Sequence, residues 1–139
     1  MHLEITTRER EGIVVLDFKG RITAGEEVGA FRSAFETFTG PGGEAKSSPK
    51  LILNLMHVDY IDSTGLGAMV MCSTYSSKAG GVAKLVHLNR RNLELLVITR
   101  IDTIFEVFDD ETEAVNSFFP GREIKRFDIL SFVRQLQEE

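Results

Sequence analysis

The sequence predicts an α/β domain: a mixed, mostly parallel sheet of about five strands, with about four helices packed on it and one extra helix at the C-terminal end. Three observations lead there. Short apolar runs rich in β-branched residues alternate with stretches whose apolar residues recur every three or four positions, which is the pattern of strand–helix units. The first two runs are separated by little more than the turn signal Glu11-Gly12, so they suit an antiparallel hairpin. The run Leu51-Ile52-Leu53-Asn54-Leu55 is apolar almost throughout and reads as a strand covered on both faces.

Taken in order, residues 3–8 alternate and form the first strand, and 13–19 (Ile-Val-Val-Leu-Asp-Phe-Lys) form the second. Residues 20–25 are a loop. Val28, Phe31, Phe35 and Phe38 then mark one face of a helix over 26–38. Residues 39–49, rich in Gly, Ser and Pro, are expected to be a flexible, solvated loop without function. The strand at 51–55 is followed by a helix over 63–79, with Leu66, Met69 and Val70 on its buried face and Gly80-Gly81 ending it. A strand at 83–88 leads to a helix from Asn89 or Arg90 that buries Leu93, Leu96 and Val97. A last strand at 103–108 precedes a helix with acidic residues in its first turn and Ala114, Val115 and Phe118 inside. Phe127, Leu130, Val133 and Leu136, beside Ile129 and Phe132, give an amphipathic terminal helix. It is expected to fold back on the sheet, with pairing to a second subunit as the other reading.

A chain of 139 residues with 42% hydrophobic and 27% charged residues fits one globular domain. We place that domain at 1–120 and treat 121–139 as an extension. No apolar run reaches bilayer-spanning length and no basic-plus-apolar leader is present, so a cytoplasmic protein without a membrane partner is expected. The single cysteine, Cys72, excludes an internal disulfide framework and a cysteine zinc site, and its apolar helical setting predicts a buried, inert thiol. A net charge of −5 argues against nucleic acid. No cofactor or metal site is expected.

The chemistry concentrates at Asp62-Ser63-Thr64-Gly65-Leu66-Gly67, directly after the central strand. Asp, Ser and Thr are the side chains that satisfy the free N–H groups of a first helical turn. The two glycines lack a Cβ and let another backbone or a partner come close. A hydroxyl held there sits at the positive end of a helix dipole, where a phosphate is tolerated and visible to a partner.

This stretch, with its apolar strand, short loop and following helix, resembles the signature of the STAS domain, in particular the bacterial anti-sigma factor antagonists. The resemblance covers most of 3–118 and implies a STAS-like fold. It implies that Ser63, the serine directly after the aspartate, is the residue a partner kinase phosphorylates, with Thr64 as runner-up. It also implies that Thr23, Asp62, Ser63, Thr64, Gly65, Leu66 and Gly67 face the partner along one edge, if the strands they follow are neighbours. The partner would be an anti-sigma factor that is also a serine kinase, with a serine phosphatase as the resetting enzyme. The chain itself would be a monomer or weak homodimer. One departure stands out: the family often carries an Asp in the loop after the second strand, near the position of Thr23 here.

Other chemistries fit less well. A nucleophile elbow wants Gly two residues before its serine, where Ile61 stands. A triad would have to draw on His2, His57 or His87, and His87 falls in the strand at 83–88. An aspartic-protease loop has one residue between Asp and Gly, not two. Gly40-Pro41-Gly42-Gly43 lacks the Gly-Lys-Ser/Thr ending of a phosphate loop. A receiver domain wants an acidic pair near the end of the first strand, for which Glu11 and Asp17 are poorly placed. No catalytic residue is therefore expected. Arg90 and Arg91 read as a solvated helix face. The alternative to the phospho-switch is a STAS domain that scaffolds a signalling or transport assembly without being phosphorylated.

Overall fold

The computed structural model describes residues 3–124 and 127–138. Five strands, β1 (Glu4–Arg10), β2 (Ile13–Ile22), β3 (Lys50–Ile61), β4 (Val82–Val86) and β5 (Val107–Phe108), form one sheet in the order β1-β2-β3-β4-β5. β1 and β2 make the antiparallel hairpin, and every other neighbouring pair is parallel. The helices are α1 (Glu26–Thr39), α2 (Ser63–Lys78), α3 (Arg90–Ile98), α4 (Glu111–Asn116) and α5 (Ile129–Glu138).

The pleat sorts the central strand onto both faces, as its composition requires. Leu51, Leu53 and Leu55 join Phe31 and Phe35 of α1, Leu66, Met69 and Cys72 of α2, and Leu96 of α3 in the larger core. Ile52 points the other way, with Ile13, Val15, Val86 and Phe108, onto Ala114 and Val115 of α4. The three connections between successive parallel strands put α1, α2 and α3 on one face, as crossovers of a single hand do. Among the described helices only α4 packs on the second face, with Phe118 and Phe119 just after it, and an ion network ties it there. Arg8 of β1 donates to Asp17 of β2 and to Glu111, while Arg10 reaches Glu111 at 2.9 Å and Thr112 at 2.8 Å. Cys72 is fully buried, and that burial pushes its thiol up to about 12.

Several boundaries differ from the sequence reading. β2 runs on to Ile22 and β3 to Ile61, because the two strands keep pairing past Asp17, through two shifts in register, as far as Ile22 beside Ile61. Residues 20–22 and 56–61 are therefore sheet, not loop. The segment after α1 contains a 3-10 turn at Pro41–Gly43, and Gly43 is buried against α2, where an added Cβ would lie 2.6 Å from the Tyr75 carbonyl oxygen. That loop is thus partly anchored, although most of it is exposed. β4 stops at Val86, since His87 takes a left-handed φ of 59° that no strand continues through. The expected strand at 103–108 shrinks to two residues. The buried positions in and just before it, Ile101, Phe105 and Phe108, are spaced four and three apart, a turn-like rather than alternating pattern, and Ile101–Thr103 is a 3-10 turn. Phe118 lies beyond α4 but still packs against the second core. The terminal helix forms, yet none of its residues is buried, so its apolar stripe is not in the domain core as expected. Leu130 is 67% exposed.

Candidate functional site

Because β2 and β3 are parallel neighbours, their C-terminal ends reach the same edge of the sheet. The β2–α1 loop and the start of α2 therefore lie side by side. Asp62 joins them. Its backbone is extended, ending β3, and its carboxylate spans two elements: Oδ1 accepts from Gly65 N–H at 2.7 Å, and Oδ2 accepts from Ala24 N–H at 2.9 Å. The first contact is the N-cap of α2; the second clips the loop after β2 to that helix. Hydrogen bonds from the Ala24 and Gly65 N–H groups hold the carboxyl below the usual aspartate range.

Gly65 is buried where the end of β2 meets the start of α2. A Cβ there would stand 2.0 Å from the Ile22 carbonyl oxygen, so β2 and α2 can meet only over a glycine. Gly67 is exposed, with nothing within 4 Å of an added Cβ. The two glycines of the motif thus differ: one admits the protein's own backbone and the other leaves the surface open.

Ser63 and Thr64 are both exposed in the first turn of α2. Leu66 is 8% exposed and Thr23 half-buried, the latter accepting from Val28 N–H at 3.0 Å. The structure thus brings Thr23, Asp62, Ser63, Thr64, Gly65, Leu66 and Gly67 to one rim. Beside Ser63 the rim opens into a groove of about 430 Å³ between α2 and α3, lined by Tyr60, Ile61, Leu66, Arg91, Leu95 and Ile98 among others. The α3 wall is absent from the sequence reading. Arg91 looked like a solvated charge, and nothing local in the sequence says that its guanidinium stands 4.9 Å from the Tyr60 ring.

Among the described residues no group of three or more His, Cys, Asp or Glu could hold a metal ion, and no helix is long and apolar enough to cross a membrane. His87, just past the end of β4 rather than within it, donates its backbone N–H to the Phe108 carbonyl at 3.3 Å; His2 lies outside the described residues.

Comparison with known proteins places this geometry. A candidate anti-sigma factor antagonist of Thermotoga neapolitana is 37% identical over 70 residues, which span 50% of this chain and 62% of that relative's length. The structure of a candidate anti-sigma factor antagonist from Thermotoga maritima superposes with a TM-score of 0.70 at 26% identity, over 81% of this chain and 92% of that one. SpoIIAA of Bacillus, solved in its phosphorylated form, shares the fold at 15% identity, with a TM-score of 0.61 over 84% of this chain and 100% of its own. The model of the STAS domain matches residues 4–114, a span that runs from β1 into α4 and takes in the whole rim around Asp62. With that span matched and the five-stranded sheet in place, the chain belongs to the STAS domain family.

Proposed function

We propose that this STAS domain is an anti-sigma factor antagonist that acts as a phospho-switch in the cytoplasm. In its unmodified form it binds an anti-sigma factor that is also a serine kinase, through the rim holding Thr23 and residues 62–67, and so frees a sigma factor. The observation that carries this reading is the exposure of Ser63 at the first position of α2, one residue after the cap that fixes that helix end. The antagonists among its relatives, and a neighbour solved in phosphorylated form, support the same reading.

In the proposed transfer, the Ser63 Oγ attacks the γ-phosphorus of ATP. The hydroxyl proton passes to a base of the kinase, and ADP leaves with the electron pair of the broken bond. The product carries about −1.5 to −2 extra charges at a contact surface. Next to the Asp62 carboxylate, that charge repels acidic groups of the partner. A loss of about 4 kcal/mol would weaken the complex about a thousandfold. A phosphatase resets the switch. Thr23, a neutral residue in the loop after β2, adds no charge to this rim before modification.

The test is to incubate the chain with its cognate anti-sigma kinase and ATP, then to measure intact mass. One added phosphate, lost in Ser63→Ala and retained in Thr64→Ala, is the expected result. A pull-down should retain the partner with Ser63→Ala and lose it with Ser63→Asp. If no phosphate is added while the partner still binds, the chain is a scaffold of the same family.

A further inference from the structure

The rim motif accounts for one wall of the groove beside Ser63; the other wall, from α3, has no assigned role. Leu66 of α2 with Leu95 and Ile98 of α3 make the groove apolar, and Ile98 is 74% exposed, so the α3 wall faces solvent. Two carboxylates line the groove and both are engaged. Asp62 is held by the Ala24 and Gly65 N–H groups, and Glu94 by the guanidinium of Arg90 at 3.1 Å. Arg91 is left facing only the Tyr60 ring, and among the described residues it forms no ion pair. An apolar cleft with one unneutralised guanidinium at its mouth is complementary to an apolar side chain that has a carboxylate next to it.

The geometry points to this groove as the docking cleft for such a partner segment, with its carboxylate on Arg91, and to phosphate on Ser63 as a competitor for the same arginine. The second half rests on the phospho-switch reading above. Asp62 already takes the Gly65 N–H at the start of α2, so a phosphate on the next residue has a carboxylate beside it whose repulsion a cation would offset. Arg91, lining the same groove, can supply a bidentate pair. Phosphorylation then does more than repel: it withdraws the group that reads the partner's carboxylate.

Methyl NMR on the full chain tests this, with N-acetyl-leucine and N-acetyl-leucinamide as probes, identical but for the carboxylate. The proteins are the native chain, Arg91→Gln, Arg91→Lys, and a chain with phosphoserine placed at position 63 during translation, which needs no kinase. In the native chain the carboxylate probe should shift the methyls of Leu66, Leu95 and Ile98 at several-fold lower concentration than the amide. Arg91→Lys should keep part of that preference. Arg91→Gln and the phosphoserine chain should bind both probes alike, their spectra reporting an intact fold. Equal binding of the two probes by the native chain, or shifts confined to other methyls, would overturn the docking cleft. A preference that survives phosphoserine would remove the competition for Arg91 and leave the cleft standing, whatever the kinase experiment shows.

Discussion

At the scale of single residues, the two glycines of the motif make opposite predictions. A side chain at Gly65 must displace the Ile22 carbonyl or move the helix. Gly65→Ala should therefore cost about 1–3 kcal/mol, the usual range for overpacking, seen as a lower urea midpoint. Gly67 has an ordinary helical position and open space around it. Gly67→Ala should stabilise the isolated chain by about 0.5–1 kcal/mol through helix propensity. Under the proposed function the same change adds a methyl to the partner surface, so it should weaken partner capture while raising the melting temperature. If Gly67→Ala binds its partner unchanged, that face lies outside the contact.

At the scale of elements, Asp62 sets both the start of α2 and the position of the loop that follows β2. Asp62→Ala removes the cap and should cost about 1 kcal/mol. Asp62→Asn retains one acceptor oxygen and should recover part of that loss in the same denaturation series. Amide exchange should rise at Ala24 as well as in the first turn of α2, since one carboxylate serves both. A rise confined to α2 would show that the loop is held by other contacts. The lengthened β3 matters in the same way: Val58 lies beyond the reach of β4, and its carbonyl accepts from the side chains of Asn89 and Asn92 at 3.1 and 2.8 Å. Those bonds dock the start of α3 against β3 and so build the far wall of the groove.

At the scale of the whole molecule, the second face of the sheet is closed by a short helix pinned by charge. Hydrogen bonds from Arg8, against an opposing effect of burial, hold the Glu111 carboxyl below its usual range. At Asp17 burial pushes upward, but the hydrogen bonds of Arg8 and Asn54 outweigh it and the net direction is down. Both carboxyls are thus easier to ionise folded than unfolded. Their contribution is complete above the unfolded carboxylate range, near about pH 4, and is lost as pH falls through the lower folded values. Glu111→Gln should therefore lower the melting temperature at pH 7, and the variant and native chains should converge as pH falls through the lowered folded value of the carboxyl. A gap that persists in acid would mean that Glu111 acts through packing, not charge.

The sequence by itself determined the class of fold, the hairpin, the buried central strand, the helix that begins at Ser63 and the cap that precedes it. Those features are local: periodicity, capping chemistry and turn residues lie within a few positions of one another. It misjudged the strand at 103–108 and the burial of the terminal helix, though not the helix itself, because apolar residues alone cannot say which surface receives them. Only the tertiary structure decided that β2 and β3 end together, that Gly65 but not Gly67 is forced by a neighbouring carbonyl, and that Arg91 stands over Tyr60 in the groove that Ser63 also lines. Each depends on segments tens of residues apart being set side by side by parallel pairing and crossover helices, and no local pattern encodes that adjacency.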